Sequence, residues 1–210
     1  MNINDMRVLV RRDLHDEAVT GFRWTDGEID RHILHTVKDF SAACPEEAKA
    51  AKATAAGSRS LDISDITDRV MVEALEYPVD RFPPHFQRFA LWGSRLTFLG
   101  EAIPDGSNTC IYYGRLHKID ALGSTVPALY EDLIVTGAAG YAAIQWAAYA
   151  INQVNTGGRQ TPEEFLAWGK VKLGQFEERL KMVSQKNRVR VRSLYRPYRT
   201  AVSQTIDFGP

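Results

Sequence analysis

Cysteine is scarce in this chain, which has two cysteines, Cys44 and Cys110, among its 210 residues. They stand far apart and in no metal-ligand spacing, so a disulfide framework is not expected and a reducing compartment fits. No activating pattern surrounds Cys110, which we therefore predict to be a strand residue rather than a nucleophile.

No secretory leader is expected, since the first residues, MNINDMRVLVRRD, contain no signal-peptide apolar region. The stretch Leu133–Ile151 has 19 residues without a charge, which approaches the length that spans a bilayer. It is rich in Ala and Gly, carries Thr136 and Gln145, and has no basic flank. We predict a central helix packed on all sides and no membrane partner, with a membrane span as the alternative.

The chain has no net charge, but its charges are unevenly distributed. Residues 179–210 contain eight basic residues and one acid, a net charge of +7, which leaves −7 on residues 1–178. An acidic body with a basic end indicates an electrostatic interaction, either with another molecule or with a neighbouring copy of the chain.

Apolar periodicity and capping residues predict four helices. Thr25 and Glu28 have the spacing of a capping box, and Thr161 with Pro162 is typical of a helix start. The predicted helices cover residues 4–15, 26–43, 128–154 and 161–185.

Between the helix pairs, residues 60–119 alternate in polarity and are rich in β-branched and aromatic residues, which predicts a small, mostly antiparallel β unit. Residues 45–57 (PEEAKAAKATAAG) have helix-forming composition, so we expect a helix extension or a mobile connector there. The predicted fold class is α+β: a bundle of about four helices with an inserted antiparallel β unit and an extended C-terminal tail over residues 186–210. The connector body is residues 1–185.

Small residues recur on one face of the third predicted helix, at Gly137, Gly140, Ala143 and Ala147. A glycine inside a helix costs roughly 0.5–1 kcal/mol relative to alanine, so close packing must offset it. We predict a helix-packing face, either within the chain or also across a subunit boundary.

A catalytic constellation is not recognisable, and we expect neither an enzyme nor a cofactor. His32, His35 and Asp39 lie three and four positions apart and could face one metal ion. The alternative, that they are polar surface residues opposite an apolar stripe, is the prediction we prefer, so no metal site is expected.

The basic end contains NRVRVRSLYRPYRT, from Asn187 to Thr200. Its alternation predicts an extended strand that adds to a partner's sheet, with tyrosine anchors. Two other interpretations stay open: a nucleic-acid arm that uses Arg for phosphates and Tyr for stacking, and a solvated disordered tail. The predicted partner-docking residues, on a portal or a neighbouring subunit, are Arg188, Arg190, Arg192, Tyr195, Arg196, Tyr198 and Arg199.

The order of these segments resembles the head–tail connector (adaptor) proteins of tailed bacteriophages over about residues 3–185. The resemblance rests on FRWTDGEIDRHILHTV, on YPVDRFPPHFQRFALWGSRLTF followed by CIYYGRLHKI, and on VPALYEDLIVTGAAGYAA before EEFLAWGKVKLGQFEERL. It implies a structural virion protein without catalytic residues.

The resemblance also implies a homo-oligomeric ring, usually of twelve copies, docked to the portal protein. The ring extends the DNA channel, through which genomic DNA passes without sequence-specific contact, and holds the next neck or tail-completion protein. The expected location is the virion neck, with the host cytoplasm during assembly. The alternative function is a nucleic-acid-binding module that uses the basic C-terminal end.

Overall fold

A computed structural model describes residues 1–18, 21–101, 103–150 and 161–194, with side chains as far as Arg188. Its helices are α1 (Ile3–Asp13), α2 (Asp26–Ala43), α3 (Glu131–Ala150) and α4 (Pro162–Leu194), and a 3-10 turn at Ala128–Tyr130 precedes α3. Its strands are β1 (Glu46–Ala53), β2 (Ser60–Asp62), β3 (Arg69–Glu76), β4 (Phe89–Trp92), β5 (Arg95–Phe98) and β6 (Asn108–Arg115).

These elements confirm the predicted α+β class, with helices on both sides of a β insertion in the chain. The chain divides into two compact units. One consists of Met1–Glu46 and Leu116–Gln185, and the other is built on Glu47–Arg115.

The helical unit is held together by apolar stripes on its four helices. Their largest fully buried side chains come from every helix and meet in one core, so each stripe covers its neighbours' apolar surface. Among the core residues are Val10, Ile33, Phe40, Ile134 and Phe176.

The helix starts behave as the capping residues predict. Thr25 accepts a hydrogen bond from the Glu28 backbone N–H at 3.3 Å, and Glu28 accepts one from the Thr25 N–H at 2.8 Å. Thr161 and Glu164 form the same reciprocal pair at 3.2 and 2.9 Å. Each pair satisfies two backbone donors that the first helical turn leaves open.

The β unit contains two three-stranded sheets, with strand orders β1–β6–β3 and β2–β5–β4. β4 and β5 form a hairpin around Gly93, whose positive φ of 59° suits a glycine in a tight turn. The unit has its own apolar core, which includes Leu61, Leu75, Leu96, Phe98 and Ile111.

Two sequence predictions need correction. Residues 46–53 form strand β1 rather than a helix extension or connector. Alternate side chains are half-buried along one side of this strand. Pairing with β6 therefore overrides the helix-forming composition of EEAKAAKA.

The second correction concerns the basic end of the chain. α4 does not end near residue 185 but continues to Leu194, so the strand predicted for RVRVR is helical. Residues 195–210 lie outside the described residues. α3 is described as far as Ala150, and the predicted continuation to residue 154 also lies outside them.

Candidate functional site

The predicted docking residues divide into two groups. Arg188, Arg190 and Arg192 belong to α4, and the Arg188 side chain is exposed. Positions two apart fall on different faces of a helix, so the strand-like alternation does not apply to this stretch. Tyr195, Arg196, Tyr198 and Arg199 lie outside the described residues.

The small-residue face of α3 packs against helices of the same chain. A Cβ added to Gly137 would stand 2.6 Å from Thr36 Cγ2 of α2 and 3.0 Å from the Phe176 ring of α4. Gly140 faces Leu173, and a Cβ there would be 3.0 Å from Leu173 Cγ.

α3 and α4 also come close to each other where Gly169 of α4 faces α3. A Cβ on Gly169 would stand 3.1 Å from the carbonyl oxygen of Gly140 and 3.2 Å from the Cβ of Ala143. Ala143 and Ala147 are also buried. The predicted small-residue stripe therefore serves intrachain packing, which lets the helix backbones come close.

Arg11 and Asp16 form a buried ion pair beside the RWTDGE string, which adds Asp26, the Trp24 carbonyl and the Arg23 N–H to an ionic corner between α1 and α2. Arg11 donates to Asp16 at 2.6 Å, to Asp26 at 2.7 Å and to the Trp24 carbonyl at 2.9 Å. Asp16 also accepts from the backbone N–H of Arg23 at 2.7 Å. Because Arg11 and Asp16 are paired and hydrogen-bonded, these two charges can remain buried.

Trp24 connects this corner to α3 and α4. Its indole N–H donates to the Ala142 carbonyl at 3.2 Å, and its ring lies 6.1 Å from that of Phe165 and 6.4 Å from that of Trp146. The guanidinium of Arg23 covers the Trp146 ring at 4.7 Å. The string that contributes to the family resemblance thus has a structural role in this chain.

A surface groove of about 650 Å³ lies between α2 and α3 and is the candidate functional site of the helical unit. We call it the α2–α3 groove. His32, His35, Tyr141 and Gln145 line it, together with Arg31, Lys38, Leu34 and Ile144 from the same two helices. The groove combines two permanent cations, the carboxylate of Asp30, several neutral hydrogen-bonding groups and apolar edges.

His32, His35 and Asp39 of α2 contact two residues of α3: His32 contacts Gln145, and His35 and Asp39 both contact Tyr141. His32 is buried and its Nε2 hydrogen-bonds to Gln145 Oε1. Burial lowers the pKa of His32, and the hydrogen bond to Gln145 opposes that shift. His32 is therefore neutral near pH 7 and donates through Nε2.

His35 is exposed and stacks on Tyr141, with ring centroids 4.5 Å apart and planes 12° from parallel. The Tyr141 hydroxyl donates to Asp39 Oδ2 at 2.8 Å. Burial, together with this bond to a carboxylate, raises the pKa of Tyr141 to about 12. The phenol thus stays protonated and holds Asp39 in place.

Sequence reasoning missed the α3 side of the groove. Tyr141 and Gln145 stand four positions apart, and that spacing places them on one face of α3. They interrupt an otherwise small and apolar stretch of α3, and this was the signal that could have indicated a polar contact on that face of the helix.

Several large apolar side chains are exposed. In the β unit, Phe82 is 96% exposed and Trp92, at the end of edge strand β4, is 90% exposed. In the helical unit, Leu122 is 96% and Leu129 is 81% exposed. An edge strand that carries an exposed tryptophan is a surface suited to association.

Cys110 lies on β6 and is partly buried, as the strand prediction requires. Burial, with a smaller contribution from the charge of Glu76, raises the pKa of its thiol. The nucleophilic thiolate is thereby disfavoured at neutral pH.

No protein-family model matches the chain, and no curated protein matches it either. Across the described ranges, no three His, Cys, Asp or Glu side chains come together in a way that could hold a metal ion. None of the helices in that part of the chain combines the length and apolarity needed to cross a bilayer.

Proposed function

We propose that this chain is a structural virion protein that forms a ring beneath the portal of a tailed phage. It joins the DNA-filled head to the tail and extends the DNA channel. The sequence strings that resemble the connector family suggest this role, and the surface of the folded chain supports an assembly function.

The exposed apolar side chains are the observation that carries the proposal. Single exposed apolar residues are ordinary on a monomer, but Phe82, Trp92, Leu122 and Leu129 each expose more than four-fifths of their surface. A tryptophan on an open strand edge is typical of residues that contribute most to an interface. These side chains would be buried between subunits or against neck proteins.

The charge distribution supports contacts between unlike surfaces. α4 continues 11 residues beyond Val183, its last described buried residue, and carries the basic stretch through Arg192. A basic helix end on one copy and an acidic body on another would attract each other. Contacts between unlike surfaces close into a ring when the rotation permits, and the connector resemblance implies about twelve copies.

The proposed partners follow from this geometry and from the family resemblance. Arg188–Arg199 docks to the portal or to a neighbouring subunit, and another surface holds the next neck or tail-completion protein. The ring is located in the virion neck and assembles in the host cytoplasm.

Electron microscopy of the purified chain, alone and mixed with the portal protein encoded beside it, tests the proposal. We expect rings of about 280 kDa, the mass of twelve 23.6-kDa chains, in at least the mixed sample. The proposal is overturned if the chain stays monomeric in both samples, or if no portal gene lies near its own.

A nucleic-acid-binding module is the second candidate function, favoured by the basic residues near the end of α4. A helix that carries arginines can neutralise phosphates without reading bases. Binding of duplex DNA by an assembly-incompetent monomer, lost when Arg188, Arg190 and Arg192 are replaced by Gln, would favour this candidate over the connector.

A further inference from the structure

A second pocket of the helical unit lies between the end of α1 and the beginning of α4 and has a volume of about 190 Å³. We call it the α1–α4 pocket. Its lining combines apolar and aromatic side chains with one carboxylate from each helix: Asp13, Leu14, His15, Glu164, Phe165 and Trp168. Pockets that enclose small-molecule ligands generally exceed about 300 Å³, so this one suits a single side chain of a partner protein.

The aromatic walls of the pocket are fixed by contacts within the chain. The Phe165 ring is buried, and its centroid lies 4.7 Å from that of Trp146. The Lys172 ammonium lies 5.2 Å from the centre of the Trp168 ring and donates to Asp13 at 3.1 Å. A pocket whose walls are held before binding loses little side-chain freedom when a partner arrives, which favours association.

The charges around the pocket favour a basic occupant over an acidic one. The carboxylates belong to Asp13, Glu163 and Glu164, and the permanent cations are Lys172 and Arg23. This corner therefore has a net charge of −1. Both cations already lie over aromatic walls of the pocket, at 5.2 and 4.9 Å from the ring centres, as expected from the negative potential of ring faces.

One segment of the chain has the side chains that this surface would receive. Tyr195–Arg199, with the sequence YRPYR, contains two tyrosines, two arginines and no acid, and it lies beyond the described residues. Tyrosine has an apolar ring with a polar tip, and arginine stacks on aromatic rings while pairing with carboxylates. Tyrosine and arginine are also among the residues that most often dominate binding at protein interfaces.

This segment cannot reach the α1–α4 pocket of its own chain. α4 is one helix from Pro162 to Leu194, and the helical rise places Leu194 about 39 Å from Trp168. Arg199 follows only five residues after Leu194, a stretch that spans at most about 18 Å even when fully extended. An occupant with this sequence must therefore belong to a second copy of the chain.

We propose that the α1–α4 pocket of one copy receives the segment Tyr195–Arg199 of a neighbouring copy. A tyrosine enters the apolar pocket, and the two arginines lie against Glu163 and Glu164 at its edge. Such a contact joins two different surfaces, so it can repeat from copy to copy and close into a ring. The inference rests on the proposed function for the assembly of copies, and it deepens that function by assigning this segment to a neighbour rather than to the portal.

Photo-crosslinking in the full-length chain tests which surface receives the segment. p-Benzoylphenylalanine replaces Tyr198, and copies labelled with light and with heavy nitrogen are mixed, with and without the portal protein. Crosslinked peptides that combine the two isotopes come from different copies. We expect such crosslinks to residues 13–15 and 164–168. Crosslinks confined to one copy, to another surface of the neighbour or to the portal overturn the proposal.

A double-mutant cycle followed by sedimentation velocity tests the contact itself. One variant is Tyr195→Ser with Tyr198→Ser, the second is Trp168→Leu, and the third combines these changes. We expect the first two variants to associate about tenfold more weakly than the wild-type chain. The combined variant should lose less than about threefold more, because all the changes remove the same contact. Losses that multiply in full overturn the proposal.

Phe208→Ser is the matched control, because it removes an aromatic ring from the same end of the chain but outside the segment. It should associate like the wild-type chain. Circular dichroism checks that all variants fold, and the crosslinking result does not depend on Trp168→Leu.

The two experiments separate this inference from the connector function. Rings that form without the expected crosslinks would refute the docking proposal alone. Crosslinks between copies that assemble into open chains and do not bind the portal would refute the connector function alone. A chain that stays monomeric with and without the portal would refute both.

Discussion

Gly137 of α3 faces Thr36 of α2 so closely that a Cβ on the glycine would stand 2.6 Å from Thr36 Cγ2. Both residues are buried. The same Cβ would stand 3.0 Å from the Phe176 ring of α4. The neighbours that would have to move are a β-branched side chain and a fully buried ring, and both are difficult to displace in a packed core.

We therefore expect Gly137→Ala to lower the free energy of unfolding by about 1–3 kcal/mol, despite the better helix propensity of alanine. Gly174 of α4 is the matched control, because a Cβ there meets no atom within 4 Å. Gly174→Ala should raise the free energy of unfolding by about 0.5–1 kcal/mol. Urea denaturation measures both, and equal midpoints for the two variants would contradict the close packing.

The Arg11–Asp16 ion pair should be costly to break. Both side chains are buried, with exposures of 9% and 5%, so Arg11→Met leaves a carboxylate without its cation in the interior. We expect a loss of about 3–5 kcal/mol in unfolding free energy.

The neighbouring Arg12–Glu17 pair, at 3.5 Å, provides a control because both side chains are largely exposed. Arg12→Met should cost less than about 1 kcal/mol in the same urea titration, since solvent screens exposed pairs. Similar losses for Arg11→Met and Arg12→Met would show that the Arg11–Asp16 pair is not the buried ion pair described above.

His32 should make the stability of the fold depend on pH. Its pKa is lowered in the folded chain, so the folded state favours the neutral ring while the unfolded chain binds the proton more readily. The stability contributed by neutral His32 is complete above the unfolded pKa of about 6.5 and is lost as pH falls below that value.

His32→Gln should consequently flatten the decline in unfolding free energy between about pH 7 and pH 5. His35→Gln, three positions on but exposed, should leave that decline in place. Chemical denaturation at a series of pH values measures the slopes. If the wild-type slope persists in His32→Gln, another group accounts for it.

Trp92 should affect assembly more than folding. Since its side chain is 90% exposed, Trp92→Ser should change the free energy of unfolding by no more than about 0.5 kcal/mol. If the tryptophan is buried in a subunit interface, the same change should weaken assembly by about 2 kcal/mol or more per contact.

Sedimentation velocity of the ring-forming sample measures the assembly effect, and Trp92→Phe should retain most of the association because it keeps a large aromatic surface. Rings that form equally well with Trp92→Ser would exclude the β4 edge from the interface.

The sequence by itself determined the features that depend on near neighbours in the chain. The capping pairs at Thr25 and Thr161 were readable because the partners stand three positions apart. The small-residue face of α3 was readable because helical period places Gly137, Gly140 and Ala147 near one another, whichever helix covers them.

Tertiary structure decided the features in which distant segments compete with local preference. EEAKAAKA forms β1 because pairing with β6 outweighs helix propensity. RVRVR is helical because α4 already leads into it, and adding residues to an existing helix is favourable even where an isolated segment alternates like a strand. The groove exists only because folding brings His35 onto Tyr141, over a hundred positions away, and no local pattern encodes that contact.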